Sequence, residues 1–227
     1  MSPLPAETSR QAESMRLFES DFLEFFTHIS PVTIVVMWVP VASFLLVYSA
    51  VSAPGPGFPW YIPLGVVGGL LLWTFAEYML HRFVFHYQPR TPRQEKIFFL
   101  FHGIHHAQPQ DKTRLVMPLV VSIPLAAVFY GLFYLVLDVL LGLPLWVNPL
   151  MAGFIIGYLI YDLTHYATHH FPMRSRVAKY LKRHHMMHHY KDEMTKFGVS
   201  SPLWDWVFGT LEARRKGEPS ETAQQRG

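Results

Sequence analysis

PLMAGFIIGYLIYDLTHYATHH, residues 149–170, joins an apolar segment directly to three histidines. Pro149 to Leu163 is short for a bilayer span, which needs about 20 apolar residues. A helix can carry it onward through the histidines, because His165 and His169 stand at i, i+4 and so neighbour each other on one helical face. The reading that follows is a membrane helix ending in metal-binding side chains.

Three other stretches repeat the first half of that pattern. Val32 to Val51 and Tyr61 to Leu80 are apolar runs, linked by Ser52–Trp60 with its three prolines and two glycines. Leu115 to Leu141 is a third run, softened by Pro118 and Pro124, and Pro144–Asn148 turns it into the fourth. Asp138 sits near the far end of the third run, where it is expected to reach the outer interface rather than mark an ion path. Over the 227 residues, 51% are hydrophobic and 15% charged, which suits four transmembrane helices arranged as two hairpins. The fold class expected is all-α and integral to a membrane.

Charge sets the topology. No Lys or Arg occurs from Leu17 to His81, nor from Leu115 to Met173, so all 19 basic residues fall in three segments. The positive-inside rule places those segments together on the cytoplasmic side, and counting four spans gives the same answer. The net charge of +3 is modest and no basic run interleaves with aromatics, which sets nucleic-acid partners aside. With no cysteine, structural disulfides, thiolate-bound zinc and iron–sulfur clusters are all excluded.

At the N-terminus, residues 1–12 read as a mobile polar tail and not as a secretory signal. From about Ala12 to Ser30, Met15, Phe18, Phe22, Phe25 and Ile29 recur at steps of three and four, predicting an amphipathic helix on the membrane surface. The expected division is therefore 1–30 tail and interfacial helix, 31–212 membrane domain with a cytosolic helical cap, and 213–227 disordered tail. Trp204, Trp206 and Phe208 either anchor the cap at the interface or pack beneath the histidines. His28 reads as an ordinary surface histidine.

Twelve of the 13 histidines lie in four clusters: 81/86, 102/105/106, 165/169/170 and 184/185/188/189. A single such cluster is more often a surface or packing feature than a ligand set. Four clusters on one membrane face would form a repelling cationic patch on protonation, whereas neutral imidazole is the commonest side-chain metal ligand. His102, His105 and His106 stand at i, i+3, i+4 and so predict one shared helical face, as do His185, His188 and His189. His81 and His86, about 140° apart on an α-helix, would approach different metals unless the helix ends between them.

The ten histidines 81, 86, 102, 105, 106, 165, 169, 185, 188 and 189 are too many for one ion and enough for two. His170 and His184 adjoin ligand positions without sharing the spacing, and are expected either to support the ligating rings from behind or to be surface residues. Glu77, Asp111, Asp162 and Asp205 are candidates to accept the outward N–H of a ligating imidazole, with a solvated helix-end charge as the plain alternative. Imidazole suits zinc, copper, iron and nickel. Two redox-active irons that activate O2 fit the number of ligands better than a zinc hydrolase, and zinc can occupy such a site in isolated samples.

These segments resemble the fatty acid hydroxylase superfamily of membrane di-metal oxygenases, most closely its fatty acid 2-hydroxylase (sphingolipid alpha-hydroxylase) branch. The resemblance is carried by EYMLHRFVFH (77–86), HGIHH (102–106) with Pro109, Asp111 and Arg114-Leu-Val, GYLIYDLTHYATH (157–169), LKRHHMMHHYK (181–191) and FGVSSPLWDWVFGT (197–210). It spans about residues 65 to 211. It implies four transmembrane helices under a cytosolic cap, the ten histidines as ligands of two irons, and insertion of oxygen from O2 at C2 of a lipid acyl chain.

The resemblance also implies a lipid substrate entering sideways from the bilayer, and two electrons from a separate carrier, cytochrome b5-like or ferredoxin-type. The basic cap is a candidate docking face for that carrier. The compact chain looks bacterial, which would make the membrane an inner membrane with the histidines cytoplasmic. Two rival readings are a sterol-modifying or carotenoid ring hydroxylase of the same superfamily and a metal transporter or sensor. A transporter would hold its ligands near the bilayer midplane, not at helix ends.

Overall fold

A computed structural model describes residues 14–212, and among them every regular element is helical. The expected tails at 1–12 and 213–227 lie outside the described residues. A five-residue helix, α1 (Asp21–Phe25), precedes the first long helix, α2 (Pro31–Val51). Pro31 opens α2 at a position where its missing N–H is no loss, and the Ser30 hydroxyl accepts from Thr33 N at 3.3 Å. Next come α3 (Tyr61–Met79), continued by a π-helical turn over Leu80–Phe85, and α4 (Pro92–Phe98).

A second π turn, Phe99–Gly103, leads into α5 (Ile104–Ala107). Then follow α6 (Leu119–Phe133) with a π extension to Leu140, α7 (Val147–His170), α8 (Arg176–Tyr190) and α9 (Leu203–Val207). Four helical stretches are long and apolar enough to cross a membrane: Pro31–Val51, Tyr61–Phe85, Leu119–Leu140 and Pro144–His170. The protein is an integral membrane protein of four such helices.

The central helix is α7, against which α2, α3 and α6 all pack. Close approach of α3 and α7 depends on two glycines. A Cβ at Gly69 would meet the Leu150 carbonyl oxygen at 2.1 Å, and one at Gly153 would meet the Val66 carbonyl oxygen at 2.1 Å. Small residues let membrane helices touch backbone to backbone where lipid supplies no hydrophobic drive for association. Aromatic rings fill the rest of the seam, with Trp73 edge-on to Phe154 and Tyr158 at 5.0 and 5.3 Å. Gly153→Ala is expected to destabilise the bundle by about 2 kcal/mol or more, the scale of an overpacked core. Thermal unfolding in detergent checks this, and an unchanged midpoint would contradict the seam.

Among the described residues of the predicted 12–30 helix, 14–30, only α1 forms. Side chains capture the main chain instead: Glu24 Oε2 accepts from Leu17 N and Phe18 N at 3.0 and 2.9 Å, and the Arg16 guanidinium donates to the Phe18 and Glu19 carbonyls. Such bonds compete directly with helical pairing. The segment is tied back to the body by Met15 N donating to Gln108 Oε1 at 2.9 Å, Ser14 Oγ donating to Asp111 at 2.6 Å and Ile29 N donating to the Thr113 carbonyl at 2.7 Å. Leu17, Phe18, Leu23 and Phe26 line a cavity, Leu23 and Phe26 at its exposed edge, while Phe22 and Phe25 lie outside its lining and are the more exposed.

Candidate metal centre

The four histidine clusters meet at one end of the bundle and form two groups. Five imidazoles, His81, His86, His102, His106 and His188, offer nitrogens that all lie within 4.8 Å of one another, and His105, His165, His169, His185 and His189 do the same. All ten expected residues are brought together. In the first group His102 Nε2 lies 3.2, 3.1 and 3.0 Å from the Nε2 atoms of His81, His86 and His106, and His188 Nε2 lies 3.0 Å from that of His86. In the second, His105 Nε2 lies 3.0 Å from His165 Nε2 and 2.9 Å from His189 Nε2, with His169–His185 at 2.9 Å and His189–His185 at 3.1 Å.

Those spacings test whether the residues suit a metal. Imidazole nitrogens about 2.1 Å from one ion and at right angles to each other sit about 3.0 Å apart, which is the separation found. The two groups are neighbours, with His106 of the first stacked on His189 of the second at 4.2 Å between centroids.

How the clusters divide differs from the sequence expectation. Histidines three and four apart do not all serve one point: His102 and His106 join the first group, while His105 joins the second. On a helix i+4 lies about 40° one way from i and i+3 about 60° the other, so i+3 and i+4 straddle the boundary between two adjacent sites. His188, against His185 and His189, divides in the same way. His81 and His86 share the first group because the π turn replaces the α pattern there. His86 N donates to the His81 carbonyl at 3.0 Å, an i→i+5 bond that stacks residues five apart.

Two ligating candidates have their tautomer set by main-chain carbonyls. His81 Nδ1 donates to the Phe197 carbonyl, and His188 Nδ1 donates to the Thr195 carbonyl at 2.7 Å. Each bond puts the ring proton on Nδ1 and leaves the Nε2 lone pair facing the group centre. The sequence reading missed Thr195 and Phe197, since a carbonyl acceptor carries no side-chain signature.

The acids expected to touch the imidazoles mostly do not. Glu77 accepts from Val199 N and Ser200 N at 2.6 and 2.8 Å and from the Ser200 hydroxyl. It thereby fixes the loop that presents the Phe197 carbonyl. Asp162 accepts from Met117 N at 3.1 Å, pinning the chain just before α6. Asp111 accepts from Ser14 and Thr113, holding the N-terminal segment. All three satisfy buried or turn backbone donors, which outcompetes an imidazole N–H whose ring points elsewhere.

Of the four expected acids Asp205 alone meets a histidine, His184, at 3.1 Å, and it also accepts from Phe197 N, Gly198 N and Thr210 Oγ1 at 2.8, 2.8 and 2.7 Å. His184 therefore braces the same loop and is outside both groups, as is His170, which packs on Tyr166 at 4.5 Å. His28 is half-buried and bonded to Thr113 and Arg114, not a plain surface residue. Trp204 packs under the cap, donating to Thr74 Oγ1 at 3.0 Å, while Trp206 is exposed at the surface.

Burial, followed by neighbouring imidazoles, pushes His86 down to about 2 and His106 to about 3. Burial also brings His188 to about 4, partly opposed by its bond to Thr195. The three rings are thus neutral, ready to ligate. The unfolded chain takes up protons at about 6.5, above these folded values. Stability from these rings is complete above about pH 6.5 and is lost as pH falls toward the depressed values. Lowering the pH from 7 to 5 is expected to lower the unfolding temperature and release bound metal. A flat profile in calorimetry and metal analysis would contradict the account.

A cavity of about 390 Å³ opens beside the histidines, lined by His102 of the first group and His105 and His165 of the second. Its remaining wall is mostly apolar, and Leu23, Phe101 and Val120 at its edge are exposed. The model of the fatty acid hydroxylase family matches residues 66–210. The chain belongs to the fatty acid hydroxylase family.

Among this family's characterised proteins, a dihydroceramide fatty acyl 2-hydroxylase of Arabidopsis thaliana is 40% identical over 199 residues, covering 88% of this chain and 81% of that protein. The ceramide very long chain fatty acid hydroxylase scs7 of Schizosaccharomyces pombe is 39% identical, covering 88% of this chain and 56% of that protein. The mouse fatty acid 2-hydroxylase is 34% identical over 218 residues, covering 88% of this chain and 57% of its own. The chain thus spans little more than half the length of the fission yeast and mouse proteins.

The solved structure of full-length scs7p, in which the hydroxylase domain alone is visible, superposes with a TM-score of 0.75 at 36% identity, covering 85% of this chain and 70% of that one. Membership makes the protein a lipid hydroxylase, an oxidoreductase, and the expected all-helical membrane fold is the one found.

Proposed function

We propose that the protein is a di-iron oxygenase that hydroxylates C2 of a lipid acyl chain. The observation that carries this reading is the apolar cavity ending on imidazoles of both five-nitrogen groups. In the balanced reaction an acyl C–H becomes C–OH; one atom of O2 enters the product and the other leaves as water, consuming two electrons and two protons. Iron, when bound by the two groups, supplies O2 activation. Five nitrogens per ion exceed the four ligands typical of structural zinc, which favours iron as the working metal and leaves zinc as a substitute in isolated samples.

The chain's own residues do the rest. His81, His86, His102, His106 and His188 hold one ion; His105, His165, His169, His185 and His189 hold the other. The carbonyls of Phe197 and Thr195 keep the protons of His81 and His188 on Nδ1. The exposed apolar edge at Leu23, Phe101 and Val120 admits the acyl chain from the bilayer, and the apolar wall excludes water from the reacting carbon.

Charge asymmetry supports a cytoplasmic position for the histidine face, in a bacterial cell the cytoplasmic side of the inner membrane. The basic residues around that face suit an acidic redox partner as the electron source. The residues divide, on this reading, into a surface segment up to about 30 and a hydroxylase domain over 31–212.

Mass-spectrometric comparison of lipids from cells with and without the protein tests the reaction. Acyl chains one oxygen heavier, with the hydroxyl at C2, are expected only with the protein. An unchanged acyl pool with altered sterols or carotenoids would overturn it.

A further inference from the structure

Arg114 lines the same cavity and is, among the described lining residues, the one with a permanent charge. Its side chain is only 3% exposed. The guanidinium is held by the N-terminal segment: its terminal nitrogens donate to the Met15 carbonyl, to Glu24 and to His28 Nε2. Of the two N–H groups left over from the five, one is on Nη1 and the other is Nε–H, and Nε is buried with no hydrogen-bond partner among the described residues. A buried donor of this kind is costly to leave unmade. Here it belongs to a charged group in a wall whose other function is to receive a lipid chain.

We propose that Arg114 is a positioning residue whose Nε–H donates to the acyl carbonyl oxygen of the substrate, fixing which carbon reaches the metals. The inference rests on the C2 reading above. An apolar cavity grips a methylene chain without register, since every CH2 looks alike to it. Hydroxylation at one carbon therefore needs a polar stop, and C2 is the carbon bonded to the carbonyl. A charge-assisted donor supplies that stop with both direction and strength. Glu24 already balances the guanidinium charge, so the bond required is one to a neutral carbonyl oxygen. Arg114 lies just before Leu115 and Val116, which with Met117 line the cavity and lead into α6.

The test uses the purified full chain loaded with iron, a chemical reductant, and two probes of equal chain length: an acyl lipid and its ether analogue lacking the carbonyl. Arg114→Lys keeps the charge and removes the fixed Nε–H. It is expected to raise KM for the acyl lipid about tenfold or more, the worth of one charge-assisted hydrogen bond, and to spread the hydroxyl from C2 to C3 and beyond. Metal content should be unchanged. Glu24→Gln weakens the same ion pair without removing Nε–H and is expected to keep the hydroxyl at C2.

The wild-type protein is expected to bind the ether about tenfold more weakly than the acyl lipid, a difference that holds even if the lysine variant folds poorly. Retained C2 selectivity and KM in Arg114→Lys, an equal spread in Glu24→Gln, or equal binding of both probes by the wild type would each overturn the assignment. A wild-type protein that never hydroxylates C2 would overturn the reaction reading itself, a result visible before any variant is made.

Discussion

Replacing His102 with alanine is expected to abolish turnover, by at least about three orders of magnitude, and to lower bound metal from two ions toward one. His102 Nε2 touches three of the four other nitrogens in its group, so no other imidazole compensates. The companion variant His105→Ala should also lose one ion and all turnover, although only two residues separate the pair in sequence. His105 belongs to the other group and contacts His165 and His189. Metal analysis of each purified variant, together with turnover, checks this. Loss of both ions from either variant would argue against two separate groups, and retained turnover would remove the metal reading altogether.

Asp205→Ala is expected to have the second largest effect, through structure and not through direct contact with a metal. The carboxylate is fully buried and accepts from Phe197 N, Gly198 N, Thr210 Oγ1 and His184 Nε2. Alanine would orphan these donors together, and removing one partner of a buried charged network costs about 3–5 kcal/mol. Because Phe197 supplies the carbonyl that orients His81, the loss should spread to the first metal group while sparing the second. Unfolding midpoints and metal content measured on the same sample separate the two consequences. A variant with wild-type stability and two ions would show that the loop is held by something else. Asp205→Asn, which keeps half the acceptors, should fall between.

Much of this was legible in the chain itself. Apolar runs and the placement of basic residues specify four spans and bring the clusters to one face. The run from Pro149 continues as a helix into His165 and His169 as its spacing implies. What escaped the reading has identifiable physical causes. A period of 3.6 residues cannot foresee a π turn, so His81 and His86 appeared divergent when an i→i+5 bond unites them.

The same period makes i+3 and i+4 look equivalent, yet about 100° separates them, enough to send His105 and His106 to different groups. Acids near histidines suggested carboxylate partners, but Glu77 and Asp162 bind main-chain N–H groups, whose needs leave no trace in residue type. Nor did the alternation of Met15, Phe18 and Phe22 reveal that Glu24 and Arg16 would claim the backbone of their own segment. The use of Arg114 depends on a cavity, and a cavity has no sequence signature.

The most direct test of the central claim is a single incubation of the iron-loaded protein with an acyl lipid, reductant and oxygen-18 dioxygen, followed by mass spectrometry of the product. The account predicts a 2-hydroxyacyl lipid carrying one heavy oxygen atom. An unaltered lipid, or a hydroxyl whose oxygen comes from water, would contradict it.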